Sequence, residues 1–281
     1  MKKQALVTLA IGAKYQEMFK RWYLPGWRSY CERQELDLVI IDTVLDESPR
    51  AKSRSPAWQK CLIHKHPEVA RYEQVAWVDA DIRIRPTARS LFAEVPVEAI
   101  GATNEYATPS REDYDMVIDA LYRHWEETGA PYVDNRTPQQ YHGNFGLECS
   151  FDGVVQTGVI VMSPGRHGWI FEKAYTEHED KGDASWNYEM RPLSYEIQKA
   201  GVIKWLPPKF NMGWSIYEML MYPFLGGQSS MLQKVMKRLG VKPGGKLRTE
   251  CVNTAFRNNY FLHFAGGSKD YELIAPDAYV K

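Results

Sequence analysis

Asp79 and Asp81 stand one residue apart at the end of an apolar run, Val75-Ala76-Trp77-Val78-Asp79-Ala80-Asp81-Ile82. Close to the C-terminus lies a second segment, His263-Phe264-Ala265-Gly266-Gly267-Ser268-Lys269. Two acids and a histidine can hold a divalent metal. Carboxylate oxygens suit Mg2+ or Mn2+, and an imidazole ligand favours Mn2+, with Mg2+ as the alternative. Glycines let the backbone approach an anion closely, and a lysine supplies a point charge for phosphate. A metal and a lysine on one diphosphate is what the departure of a nucleoside diphosphate from a sugar requires.

Each segment also has a plainer reading. Acids after a strand can merely cap a turn, and a lone histidine is more often a satisfied core residue than a ligand. Three features favour the chemical reading. Alternation along an extended chain points Asp79 and Asp81 to one side, where like charges repel unless a cation sits between them. Ligands of open α/β sheets gather at the carboxyl ends of strands. Gly266, Gly267 and Lys269 fall within a turn of His263.

The elements that must carry these residues follow an alternating plan. Ala5–Ile11, Leu36–Ile41, Gln74–Val78 and Ala99–Thr103 read as strands. Between them, Tyr15, Met18, Phe19 and Trp22 lie at helical spacing, Pro25-Gly26 interrupts the pattern, and Ser55-Pro56 opens a helix through about His64. Such alternation implies a parallel sheet with right-handed crossovers. Arg111–Thr128 reads as an exposed helix and 129–148 as a loop beside the site. Val154–Met162 is a strong strand containing Gln156-Thr157-Gly158. Helices are expected over Trp169–Glu179 and Arg191–Ala200, with a short strand at Val202–Leu206.

The stretch 226–248 is mixed. Ser229-Ser230 can cap a helix with Met231, Leu232, Val235, Met236 and Leu239 on one face. Lys234, Lys237 and Arg238 lie on the other, and Lys242, Lys246 and Arg248 follow. Two readings stand: a peripheral helix with a solvated face, or a basic surface, 231–248, making weak peripheral contact with acidic lipid or an anionic acceptor.

With 35 basic and 35 acidic residues the 281-residue chain has no formal net charge, which argues against a nucleic-acid partner. Cys31, Cys61, Cys149 and Cys251 show no CxxC pairing, so neither a zinc site nor a disulfide framework is expected and a reducing compartment fits. The apolar start is too short for a transmembrane segment and lacks a cleavage site. A cytoplasmic protein is expected, with the inner membrane face as a possible station.

The Asp79-Ala80-Asp81 and His263-x-x-Gly266-x-x-Lys269 motifs resemble those of metal-dependent GT-A fold glycosyltransferases. The nearest groups are the retaining family 8 enzymes and the related family 34, and the motif order agrees along nearly the whole chain. The resemblance implies an α/β fold with a Rossmann-type, mostly parallel central sheet flanked by helices. It also implies one domain over 1–281, with a nucleotide-binding half (1–104) and an acceptor-side half (105–281) carrying the C-terminal metal and phosphate segment. Asp79, Asp81 and His263 would hold Mn2+, and the donor would be a nucleotide sugar, UDP-linked. Thr8 and Ala10 would lie against base and ribose, with Tyr15 stacking on uracil. Lys60, Gly266 and Lys269 would contact the diphosphate. Gln156 stands where the family has Asn, facing the donor sugar, and Glu189 is the counterpart of the family's later Asp-Gln pair. Gln156, Glu189 and Lys269 are thus the expected catalytic set.

The acceptor would be a glycan or another hydroxyl-bearing molecule, with Trp186, Trp214 and Tyr217 as a stacking platform or as packing residues. Because the leaving diphosphate can take the acceptor's proton on the same face, retention of configuration is expected. Two alternatives stay open. A sugar-phosphate nucleotidyltransferase shares the sheet and carboxylates but needs a Gly-rich first loop, where this chain has Gly12-Ala13-Lys14-Tyr15. A nucleotide-sugar or carbohydrate-binding module without turnover is the other.

Overall fold

The computed structural model describes residues 3–129, 135–179, 188–225, 238, 240 and 245–275. The expected helix over 231–239 lies outside them except for Arg238, as do Lys242, Trp186 and most of the stretch 231–248.

Six strands form the central sheet: β1 (Gln4–Leu9), β2 (Asp37–Ile41), β3 (Gln74–Val78), β5 (Ile100–Asn104), β6 (Val155–Met162) and β7 (Ile203–Trp205), in the order β2-β1-β3-β6-β5-β7. A second, three-stranded sheet sets β4 (Ile82–Ile84) beside β9 (Phe261–His263) and β8 (Met212–Gly213). The helices are α1 (Ala13–Met18), α2 (Leu24–Arg33), α3 (Pro49–Lys52), α4 (Pro67–Ala70), α5 (Arg111–Thr128), α6 (Pro138–Gly143), α7 (Pro164–Glu177), α8 (Met190–Lys199), α9 (Trp214–Met221) and α10 (Lys246–Asn258). Among the described residues no helix is long and apolar enough to cross a membrane.

Strand alternation builds a core on each face of the large sheet. Leu6, Ala76, Val78, Val159 and Val161 pack on one side with Trp27, Phe256 and Phe261. Ala5, Val7, Val75, Trp77, Ile160 and Met162 pack on the other with Trp58, Ile170 and Phe171. Burial on both faces is why β3 reads as an unbroken apolar run.

The sheet is mostly parallel, as expected, with one strand reversed. β6 runs antiparallel to both β3 and β5, while the other three pairings are parallel. The reversal matters for the site, because it brings the start of β6 to the carboxyl end of β3. There the Asp79 amide donates to the Gly158 carbonyl at 2.8 Å.

Local differences have local causes. Pro25-Gly26 does not break the first helical stretch. A π-helical turn over Phe19–Tyr23 joins α1 to α2, and Pro25 occupies the first turn of α2, where its missing N–H costs nothing. The helix after Ser55 is a 3-10 helix, Pro56–Lys65, with the Ser55 hydroxyl accepting from the Ala57 amide. The loop expected at 129–148 contains α6, closed by a capping box between Thr137 and Gln140. All four cysteines are free.

Candidate active site

Topology assembles the first cluster. Asp79 and Asp81 follow β3, and β4 begins one residue later. β9 pairs antiparallel with β4 in the register Ile82↔His263, and the Phe264 amide donates to the Asp81 carbonyl at 3.0 Å. A histidine from the far end of the chain is thereby fixed beside the acids. Its Nε2 lies 3.1 Å from Asp81 Oδ1 and 3.9 Å from Asp79 Oδ2. One ligand atom from each of the three residues falls within 4.8 Å of the other two. Two carboxylates and an imidazole, converging this closely at a strand end, fit a divalent cation of the Mn2+ or Mg2+ class.

The electrostatics agree. Burial opposes charge on both His263 and Asp81, yet their mutual attraction prevails: the imidazole is held above its usual range and the carboxyl below its own.

Behind Asp79 lies a buried ion-pair network. Lys60, 3% exposed, places Nζ 2.9 Å from Asp79 Oδ1, 2.8 Å from Glu189 Oε1 and 3.2 Å from the Thr157 carbonyl. Those contacts use all three donors of an ammonium. Burial works against the charge on Lys60, but Asp79 and Glu189 hold it above the usual lysine range. The Thr157 hydroxyl donates to Glu189 Oε1 at 2.8 Å, and the Trp77 indole donates to Asp79 Oδ1 at 2.7 Å. With Oδ1 accepting twice, Asp79 is left to present Oδ2 toward His263. Its ammonium thus orients the Asp79 carboxylate from behind.

Gly158 faces the imidazole so closely that a Cβ there would lie 2.7 Å from His263 Cε1 and 2.9 Å from Nδ1. Only hydrogen fits with the ring in place. Gln156, two residues earlier, accepts at Oε1 from the Gly158 amide and from Asn211 Nδ2.

The other expected residues are placed as follows. Tyr15 is 42% exposed, and its phenol is pushed up by burial and by the charges of Asp81 and Asp79. Thr8 and Ala10 are buried at the end of β1, and the Thr8 hydroxyl has no partner among the described residues. Gly266 takes φ 79°, a left-handed conformation that glycine adopts without strain, in an exposed 3-10 turn. Lys269 is exposed at the end of that turn and makes no ion pair among the described residues. Its neighbour Asp270 is pinned, accepting at 2.8 Å from Arg248 Nε and at 2.7 Å from the Trp214 indole.

Trp214 and Tyr217, expected as an acceptor platform or as packing, are packing residues, 2% and 9% exposed. Arg248, expected on a basic surface, is tied to Glu218 and Asp270. Two site residues escaped the sequence reading. Asn211 has no motif around it. Glu105 follows β5 as Asp79 follows β3, and the same strand-end rule applied there would have found it. Burial pushes the Glu105 carboxyl up to about 6, while His263 pulls it back down.

The sequence matches no protein-family model and no curated protein. Solved structures do match. A glycosyltransferase involved in the glycosylation of the major capsid of PBCV-1 superposes with a TM-score of 0.52 at 12% identity, covering 96% of this chain and 98% of the other. The chain has a GT-A-like fold. The bifunctional glycosyltransferase WbbM, in its apo structure, aligns over 98% of this chain with a TM-score of 0.50 and 13% identity. This chain spans 50% of that protein. Identities this low establish architecture, and the chemistry of the site rests on its own residues.

Proposed function

We propose that this chain is a metal-dependent glycosyltransferase that moves a sugar from a nucleotide-diphosphate donor, UDP-linked, onto an acceptor hydroxyl with retention of configuration. The observation that carries this reading is the convergence of Asp79, Asp81 and His263, from opposite ends of the sequence, at the carboxyl end of β3 in a GT-A-like fold.

A Mn2+ ion held by those three residues, or Mg2+ in its place, would supply positive charge to the leaving diphosphate. The remaining roles belong to the chain. The Trp77 and Lys60 donors fix the Asp79 carboxylate and leave Oδ2 for coordination. Exposed backbone at Gly266 lets an anion approach. Lys269, without an ion-pair partner among the described residues, stands beside it, ready for the negative charge that grows as the glycosidic bond breaks. Glu189, buried and paired with Lys60, suits a fixed charge behind the sugar better than a nucleophile. No separate base is required if the departing diphosphate accepts the hydroxyl proton on the same face.

The first turn of the chain supports the transferase over a nucleotidyltransferase. Gly12 leads directly into α1, with no glycine-rich loop to wrap a triphosphate.

A panel of nucleotide sugars incubated with Mn2+ tests the reading. Metal-dependent release of nucleoside diphosphate, accelerated by a hydroxyl-bearing acceptor, is expected. Pyrophosphate release from a nucleoside triphosphate and a sugar phosphate would contradict it, as would binding without release. Within that assay, Lys269→Ala should lower turnover roughly a hundred-fold with little change in donor affinity. A loss confined to affinity would remove its transition-state role.

A further inference from the structure

Metal binding by a histidine requires more than proximity: the nitrogen facing the ion must carry a lone pair, and the other nitrogen decides whether it does. In His263 the nitrogen facing Asp79 and Asp81 is Nε2. The other, Nδ1, lies 3.0 Å from the side-chain oxygen of Asn211. Asn211 is 2% exposed, and no motif marks it.

An amide side chain is ambiguous in itself, since oxygen and nitrogen ends can be exchanged by a half-turn. Here one backbone group removes the ambiguity. The Gly158 N–H can only donate, so the end of Gln156 lying 2.5 Å from it must be the oxygen. That same oxygen is 2.6 Å from Asn211, so the near end of Asn211 must be its NH2 group. The far end is then the carbonyl oxygen, and an oxygen facing Nδ1 requires Nδ1 to hold a hydrogen. The proton is thereby assigned to the nitrogen away from the acids. One peptide N–H fixes the polarity of three side chains in series.

The backbone holds this series in place. Asn211 follows a 3-10 turn, Pro208–Phe210, and its own amide donates to the Pro208 carbonyl at 3.0 Å. The next two residues form β8, which pairs with β9 in the register Met212↔Leu262 and Gly213↔His263. Asn211 therefore sits just before β8, the strand next to the one that ends in His263. Gly158, with no room for a Cβ, closes the other side of the ring.

We infer that Asn211 is the positioning residue of the metal centre, setting the His263 tautomer and ring orientation through a hydrogen-bond series that runs Gly158, Gln156, Asn211, His263. The inference rests on the metal reading of the preceding subsection. It also assigns Gln156 a structural duty: its oxygen is spent inward, and only its NH2 group remains to meet a ligand, so any sugar contact it makes is as a donor to a sugar oxygen.

Two measurements on the full chain test it. The first is calorimetry with Mn2+ alone. Asn211→Leu should weaken Mn2+ binding roughly ten- to a hundred-fold, the usual effect of removing the partner of a ligating histidine. Asn211→Asp keeps an acceptor for the Nδ1 hydrogen but loses the NH2 donor to Gln156, so its Mn2+ affinity should fall between those of the parent and Asn211→Leu. Equal affinities in parent and Asn211→Leu would overturn the assignment. The second is 15N spectroscopy of histidine-labelled, metal-free protein at a pH above the His263 titration. The parent should carry its hydrogen on Nδ1, whereas a parent carrying it on Nε2 would overturn the assignment even if Asn211→Leu fails to fold. A parent that binds no Mn2+ sinks the metal reading, and the tautomer spectrum then decides the role of Asn211 separately.

Discussion

Asp81→Asn should abolish Mn2+-dependent nucleotide binding and lower turnover roughly a thousand-fold, the scale of the several kcal/mol a bound Lewis acid contributes. The substitution keeps the shape of the side chain and removes its charge, so the loss reports on coordination more than on packing. Asp81 Oδ1 is the acidic oxygen nearest His263 Nε2, at 3.1 Å. An amide there leaves Asp79 and a neutral imidazole, too little negative charge to dehydrate a hard cation. The Asp81 side chain is a quarter exposed, so the fold should tolerate the change. Calorimetry showing unchanged Mn2+ affinity would exclude Asp81 from the metal set.

Lys60→Met carries the second large effect, and on a different property. Lys60 neutralises two acids, Asp79 and Glu189, from a position 4% exposed at its side chain. Glu189 has a side chain only 3% exposed, and without the ammonium it is a buried carboxylate with a single hydroxyl donor. Breaking a buried pair from one side costs about 3–5 kcal/mol. Chemical denaturation should show a loss of that order. Glu189→Gln added to Lys60→Met should recover part of it, because the stranded charge is gone, and the double-mutant cycle isolates the coupling. Unchanged stability with weakened nucleotide affinity would mean instead that Lys60 serves the donor's diphosphate.

How much of this was legible in the sequence divides along a physical line. Local pattern located β3 to the residue, α5 to the residue, and the acid pair that follows β3, since buried strands and capped amphipathic helices are written in short windows. What depends on pairing between distant segments was not legible. β6 is as apolar as its neighbours, and nothing within it tells that it runs backwards. The second sheet is made of strands of two and three residues, too short for any periodicity, yet its register is what places His263 beside Asp81.

The same limit applies to residues whose partners lie far along the chain. A lysine on the buried side of a 3-10 helix has no sequence signature that separates an ion-pair partner from a phosphate ligand. Trp214 stood open between a stacking surface and packing, because the Asp270 carboxylate that accepts from its indole lies 56 residues away. Asn211 became visible only when Gly158, Gln156 and His263 were seen around it. The acidic and C-terminal motifs were readable because each packs its chemistry into a few residues; the network that orients them draws its residues from five separate segments.

The account stands on three side chains sharing one cation. Anomalous diffraction at the manganese edge, from crystals grown with Mn2+ and UDP, measures that directly. A peak within bonding distance of Asp79, Asp81 and His263 Nε2 is the predicted result. Bound nucleotide with manganese elsewhere, or with His263 turned out of its coordination sphere, would contradict it.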